Sequence, residues 1–326
     1  MKHLCSVDDL TYRDLDFIFP KAEGWKRRGW PSANIASPVR QRILVNLFFE
    51  PSTRTSSSFE AAAYRLGYKV ISIKDVSSTS LKKGESFEDT IRAYSSYGDA
   101  LVLRHSRSGA AHNASEVSSI PVVNAGDGTN EHPTQALLDL FTIQDRLPNR
   151  ISFSNGGSSK LGETDLTITF CGDLKYGRTV HSLAKLLARF EGVHINFLAC
   201  ESLHLSSSFM SDLKVSHSKY TSSQVFEPKK GLVWESGLTS TLLEKTDVLY
   251  MTRVQKERIE STVKFQTDTL TPDLVTHMPE KSIIMHPFPR VGEIDPAIDG
   301  DPRVAYFDQM KNGAFVRAAL LDYISY

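Results

Sequence analysis

RILVNLFFEPSTRTSSSFEAAAYRLGYKVISI, residues 42–73, decides the architecture. RILVNLFF is an almost unbroken apolar run, suited to a strand buried on both faces. STRTSSSFEAAAYRLG reads as a loop and a helix closed by Gly67, and KVISI (69–73) as the next strand. The rhythm continues outward: a helix over 86–98 closed by Gly98, a strand ALVLRH (100–105), a helical 108–119, a strand PVVNAG (121–126) and an amphipathic helix PTQALLDLFTIQDRL (133–147). Pro148 and the polar FSNGGSSKLGE stop it, so a domain boundary falls near residue 150. It resumes through LTITFCGD, RTVHSLAKLLARF, HINFLAC, LVWES, DVLYMTRV and SIIMHPF, and closes with a terminal helix NGAFVRAALLDYI. Such alternation means parallel sheets with helices on both faces. The fold class is therefore α/β in two domains. Upstream, the first helix is expected to start near Ser6 or Thr11, each followed three residues later by an Asp (Asp9, Asp14) as in a capping box, and Lys21–Pro38 reads as loop. The Ser-rich 206–223 segment has no clear pattern.

At 326 residues the chain has the length of two domains. Its 40% hydrophobic and 23% charged residues exclude a disordered chain. Lys plus Arg is 38 and Asp plus Glu is 38, so there is no basic excess for a general nucleic-acid binder, though a local basic pocket is allowed. Cys5, Cys171 and Cys200 are too few and too scattered for a disulfide framework or a cysteine zinc site, which fits a reducing compartment. No stretch approaches the ~20 apolar residues that span a bilayer. The N-terminus lacks the apolar core of a signal peptide. A cytoplasmic protein without membrane partners is expected.

Ligands of open parallel sheets bind beyond the carboxyl ends of the strands. Chemistry-bearing residues gather at those ends: Ser52–Thr55 after the first strand, Arg104 and His105 ending the third, and His132 after the fourth. In the second half Arg178 follows LTITF, Arg253 ends VLYMT, and His286–Pro289 ends SIIM. This points to one active site between two domains. Ser52-Thr53-Arg54-Thr55 adds hydroxyls and a guanidinium to the unpaired amides of a helix start, which makes a phosphate cradle; taken alone it reads equally as an N-cap with a solvated arginine. His132-Pro133-Thr134-Gln135 opens a helix in the ordinary way, and a neutral His132 there can donate to a carbonyl oxygen. Gly172–Thr179 has the spacing GxxxxG-R-T, close to a P-loop. An arginine in the lysine position suits a carboxylate better than terminal phosphates, and only Asp247 offers itself as a magnesium partner.

FFEPSTRT (48–55), SLKKGES (80–86), Arg104-His105, HPTQALLD (132–139), GDLKYGRTVHSL (172–183), LYMTRVQKER (249–258) and HPFPRVGEI (286–294) together resemble the catalytic chains of the aspartate carbamoyltransferase family, in order over nearly the whole length. GDLKYGRT and TRVQKER mark the aspartate branch. The ornithine branch would carry HCLP where this chain has HPFP. The resemblance implies a carbamoyltransferase fold that joins carbamoyl phosphate to L-aspartate, giving N-carbamoyl-L-aspartate and phosphate, the first committed step of pyrimidine biosynthesis. It implies a carbamoyl phosphate domain over 1–150, with the C-terminal helix (about 310–326) packed back on it, and an aspartate domain over 151–309. It implies a homotrimer with shared active sites, and no metal or cofactor.

The implied roles are specific. Ser52, Thr53, Arg54 and Thr55 hold the phosphate; Thr55, Arg104 and His132 polarise the carbonyl; Gln135 and the carbonyls of Pro287 and Phe288 take the carbamoyl NH2. Arg178, Arg253 and Gln255 hold the aspartate carboxylates. Ser80 and Lys83 arrive from the adjacent subunit, Lys83 meeting both substrates. Glu50 and Arg258 match interdomain salt bridges of the closed state. The turn SLKKGE is one residue shorter than the bacterial form, and Phe288 stands where an aliphatic residue is common. A non-catalytic homologue serving as an assembly domain is the alternative, and a P-loop nucleotide protein a third reading. Whether the chain works alone, with regulatory chains or within a multienzyme polypeptide stays open.

Overall fold

The structure is a computed structural model. It describes residues 2–30, 41–74, 84–148, 150, 165–190, 192–220, 237–259, 265 and 268–325. The chain divides into two compact units: unit 1 is Met1–Leu138 with Lys311–Tyr326, and unit 2 is Asp139–Met310.

Unit 1 contains α1 (Tyr12–Arg28), β1 (Ile43–Phe48), α2 (Thr53–Arg65), β2 (Lys69–Ile73), α3 (Phe87–Ser95), β3 (Ala100–His105), α4 (Ala110–Val117), β4 (Val122–Asp127) and the start of α5 (Pro133–Arg146). Its described strands form one parallel sheet in the order β2-β1-β3-β4. The apolar run in β1 is buried from Leu44 to Phe48, and Val45, Leu47, Leu101, Leu103 and Val122 pack with Ile91, Ala111 and Ala114 from the helices. Each such leucine or isoleucine contributes about 1.5–3 kcal/mol by leaving water.

Of the two candidate starts for the first helix, Thr11 caps α1 and Ser6 caps a short turn before it. Ser6 and Asp9 form a capping box on a 3₁₀ turn, Val7–Asp9, and Thr11 and Asp14 form one on α1. The residues Lys21–Arg28, read from their composition as loop, are instead the second half of α1, which runs straight through Pro20. Tertiary contacts outweigh the lost hydrogen bond. Ala22 is fully buried, Lys21 pairs with Asp322, and Tyr323 Oη donates to Asp14 Oδ1 at 2.6 Å. Before α1, Leu4 pairs in parallel with Val123 and covers the β4 edge of the sheet.

Unit 2 contains β5 (Leu166–Cys171), α6 (Arg178–Leu187), β6 (Val193–Leu198), α7 (Ser207–Tyr220), α8 (Ser240–Leu243), β7 (Val248–Met251), α9 (Pro272–Thr276), β8 (Ile283–Met285) and the start of α10 (Tyr306–Ile324). Its described strands form a second parallel sheet, β6-β5-β7-β8. The unpatterned Ser-rich segment is helical over Ser207–Tyr220. LVWES and the FSNGGSSKLGE stretch lie outside the described residues.

The two sheets have the same plan. In each, the second strand in sequence lies on one side of the first and the third on the other, so the winding reverses between β1 and β3 and again between β5 and β7. Such a reversal opens a crevice at the carboxyl ends of the two strands concerned. No helix of the described residues is long and apolar enough to cross a membrane.

Candidate active site

The reversal in unit 1 brings three of the expected segments to one end of the sheet. Phe48 lies beside Arg104 in the β1–β3 register, and the Phe49 amide donates to the Arg104 carbonyl at 2.9 Å. The STRT segment leaves β1 there and starts α2. Ser52 is its N-cap, yet its side chain makes no capping hydrogen bond, so the first amides of α2, which have no helical partner, are not covered by it. Thr53 and Arg54 are exposed, Ser52 half-buried and Thr55 buried. Arg104 Nη1 donates to the Ala125 carbonyl at 3.3 Å, and its Nε lies 3.6 Å from Glu50 Oε2. Within unit 1, then, Glu50 is a neighbour of Arg104.

On the far side of β3, the loop after β4 delivers His132 and Gln135, both buried. The His132 carbonyl accepts from Gln135 N at 2.9 Å and Ala136 N at 3.2 Å, which makes it the cap of α5. Its Nδ1 is 3.4 Å from Thr134 Oγ1. This loop is set by a residue the sequence reading passed over. Asp127, 2% exposed, accepts from Gly109 N at 2.7 Å, Asn124 Nδ2 at 2.9 Å, Asn130 Nδ2 at 3.2 Å and Glu131 N at 3.2 Å. A buried carboxylate needs such donors, and here they pin the loop immediately before His132. The GDGTN turn was its only signal. Ser80 and Lys83 lie outside the described residues.

In unit 2 the corresponding reversal carries GDLKYGRT after β5 and TRVQKER after β7. These two loops are tied by Asp173, which is fully buried. Its Oδ1 accepts from Tyr176 N at 2.9 Å and its Oδ2 from Gln255 N at 3.0 Å, while Gln255 Nε2 donates to the Tyr176 carbonyl at 2.6 Å. Burial pushes the Asp173 carboxyl above its ordinary range, and the two amides oppose that. The glycines serve this packing. At Gly172, with φ +119°, a Cβ would lie 2.3 Å from the Thr252 carbonyl oxygen, and at Gly177 it would lie 2.3 Å from that of Asp173. Asp247 immediately precedes β7 and accepts from Thr167 N at 2.8 Å and Arg150 Nη2 at 3.0 Å. It sits at the amino end of the sheet, opposite the GxxxxG loop, so the P-loop reading loses its magnesium partner.

Arg178 is the first residue of α6 and is buried. Arg253 is half-buried: its guanidinium donates to Glu257 at 3.0 Å and 2.5 Å and to the Val254 carbonyl at 3.2 Å. The fork has five N–H groups, and these contacts take three. The guanidinium in turn holds the Glu257 carboxyl below its ordinary range. Arg258 closes the 3₁₀ turn Lys256–Arg258 and is half-buried. After β8, Pro287 and Phe288 are half-buried, and Phe288 adopts φ +55°. That region costs a non-glycine residue about 1–2 kcal/mol, so the surroundings must hold the turn. Phe288 packs edge-on to Tyr306 with centroids 5.7 Å apart.

Two doubly wound α/β units, each presenting cationic side chains in the loops at its topological switch point, define the class: a two-unit α/β protein whose strand-end crevices suit anionic ligands. The comparisons sharpen this. Residues 2–145 match the profile of the aspartate/ornithine carbamoyltransferase, carbamoyl-P binding domain, and residues 164–324 that of the Asp/Orn binding domain. The chain belongs to the aspartate/ornithine carbamoyltransferase family. It is 39% identical over 331 residues to the aspartate carbamoyltransferase catalytic subunit of Methanocella arvoryzae, covering 99% of this chain and 97% of that one. It is 40% identical over 331 residues to the multifunctional protein pyr1-3 of Dictyostelium discoideum, covering 98% of this chain but only 13% of that protein's length. A crystal structure of Trypanosoma cruzi aspartate transcarbamoylase in complex with carbamoyl phosphate and aspartate superimposes with a TM-score of 0.79 at 36% identity, covering 98% of this chain and 95% of that one.

Proposed function

We propose that this protein is an aspartate carbamoyltransferase, which transfers the carbamoyl group of carbamoyl phosphate to the α-amine of L-aspartate and releases phosphate. The observation that carries the reading is the contrast between the two switch points, in a chain whose full-length relatives are named for this activity. Hydroxyls around a helix start suit a phosphate dianion; paired arginine forks suit the two carboxylates of aspartate. Residues 1–150 with the terminal helix 310–326 form the carbamoyl phosphate domain in this reading, and 151–309 the aspartate domain.

The chemistry follows from charge. Ser52, Thr53, Arg54 and Thr55 hold the leaving phosphate. Thr55, Arg104 and His132 donate to the carbamoyl oxygen and strengthen those bonds as it becomes an oxyanion. Gln135 and the carbonyls of Pro287 and Phe288 take the NH2. Arg178, Arg253 and Gln255 bind aspartate, with Glu257 fixing the plane of Arg253. The neutral amine attacks, the tetrahedral intermediate collapses, and the departing phosphate accepts the amine proton. Orientation of two bound substrates supplies much of the rate. Ser80 and Lys83 complete a neighbour's site in a homotrimer, and Glu50 and Arg258 serve closure. The product suits a place in the pyrimidine pathway, and the free cysteines Cys5, Cys171 and Cys200 are compatible with a cytoplasmic location. The test is a carbamoylation assay offering aspartate and ornithine side by side. Product from aspartate alone is expected; ornithine as the better substrate, or no product from either, overturns the reading.

A further inference from the structure

We propose that His286 and Glu293 act as one positioning pair that sets the direction of the Pro287 and Phe288 carbonyls; this rests on the assignment above of those carbonyls to the carbamoyl NH2. His286 is 1% and Glu293 7% exposed, and His286 Nε2 lies 2.6 Å from Glu293 Oε1. The other ring nitrogen fixes the tautomer. Phe288 N–H donates to His286 Nδ1 at 2.8 Å, so Nδ1 carries no proton. The ring proton sits on Nε2 and is donated to the Glu293 carboxylate. A doubly protonated ring would set one donor against another at Phe288. The second carboxylate oxygen, Oε2, accepts from Val291 N at 3.0 Å. One imidazole and one carboxylate therefore tie down the main chain at both 288 and 291, around a residue at φ +55°.

Both ends of this clamp are anchored. The Glu293 carbonyl accepts from Leu270 N at 2.9 Å. The His286 amide donates to Gln309 Oε1 at 2.9 Å; Gln309 Nε2 donates to Asp139 Oδ1 at 2.6 Å, and Tyr250 Oη to Asp139 Oδ2 at 2.7 Å. The turn is pinned at its start by this chain and across its span by the pair, leaving the peptide planes of Pro287 and Phe288 little freedom. Carbonyl acceptors that orient a reacting group need that fixity, because a misplacement of about 1 Å can cost on the order of 100-fold in rate.

The experiment uses the full chain. Wild-type carbamoylation of aspartate is measured first, and its absence would count against the function alone. Nitrogen-15 NMR of labelled histidine then reads His286 in the wild type at neutral pH, whatever the activity. A neutral ring protonated on Nε2 is expected; a proton on Nδ1, or on both nitrogens, overturns the pair. Glu293→Gln and His286→Gln should each lower kcat by about 10–100-fold and raise the KM for carbamoyl phosphate, with the KM for aspartate within about twofold. The double variant should be no worse than the worse single one, because the two residues act as a unit. Glu293→Asp should lose less than Glu293→Gln, because it keeps two acceptor oxygens, whereas Gln offers one and sets an NH2 against either the His286 ring N–H or the Val291 amide. Wild-type kcat and KM in the folded variants, losses that multiply in the double variant, or activity losses that only track a falling Tm would each overturn the proposal.

Discussion

Unit 1 reverses its winding between β1 and β3, and unit 2 between β5 and β7. The first switch point is lined by Ser52, Thr53, Arg54 and Thr55 on a helix whose N-cap side chain does not close it, with Arg104 beside it. The second is lined by Arg178 and Arg253, and its loops are already braced by carboxylates of the same chain, Asp173 and Glu257. The scaffold is shared and the loops differ. Function is grafted on a fold at such places. A tetrahedral phosphate accepts from many directions, so amides and hydroxyls around one helix start can serve it. A planar carboxylate wants a planar fork held in one orientation, and that requires bracing.

The contrast can be broken most severely where the two anions would meet a shared site. If the proposed homotrimer with shared sites holds, Arg54→Ala and Lys83→Ala should each leave the assembly nearly inactive. Trimers remixed from the two by reversible dissociation should regain a measurable fraction of wild-type turnover. Absence of recovery despite demonstrated subunit exchange would remove the shared-site part of the proposal. Next in size, His132→Ala should slow turnover by about 10²–10³-fold, the range for one lost oxyanion donor. Trapping a carbamoyl group on this imidazole would replace donor by nucleophile.

A smaller change should separate the two units cleanly. Arg253→Ala should raise the aspartate KM by on the order of 10²-fold, while carbamoyl phosphate binding, measured by calorimetry without aspartate, stays near wild type. Loss of that binding would mean that the division of labour is drawn wrongly. Glu257→Gln leaves the arginine and removes its brace. Since the pair is partly exposed and worth at most about 1 kcal/mol, the aspartate KM should rise about fivefold or less.

The smallest effect is on acid stability. Asp173 has a folded-state pKa above its ordinary 3.8 because of burial. The stability it contributes is full below 3.8 and is lost as pH rises through the raised value. Glu293 is pushed the other way, below its ordinary 4.5; burial works against that shift, and the His286 hydrogen bond leads the effects that lower it. Its contribution is full above 4.5 and is lost as pH falls through the lowered value. Thermal melts between about pH 3 and 6 should therefore rise more steeply with pH in Asp173→Asn than in wild type, and less steeply in Glu293→Gln.

Much of this was legible along the chain. Apolar runs at strand length, glycines closing helices and polar turns between them located β1 to β5 within a residue or two, because these signals are local. HPFP, STRT and GDLKYGRT stood out for the same reason. Lys21–Arg28 did not read as helix because it lies between Pro20 and Gly29 and itself contains Gly24, residues that locally signal a break, and Ser207–Tyr220 because its Ser-rich pattern shows no clear period. In the first case Ala22 and the partners Asp322 and Tyr323, three hundred residues away, make up the difference.

The sequence by itself determined the class of fold, the two-part plan and the cations that would meet anionic substrates, because strand periodicity and charge are properties of neighbouring residues. It could not determine which strands lie side by side. That is a matter of crossover direction, and it is the order β2-β1-β3-β4 that puts Phe48, four residues before Ser52, beside Arg104 and sets β4, which leads to His132, on the other side of β3. Nor could it single out Asp127, Asp173, Glu257 and Glu293 from the other acidic residues. Their meaning lies in which amides, guanidinium or imidazole they accept from. A carboxylate that braces a loop is distinguished from one dissolved in water only by burial and partners, and both are set by the tertiary structure.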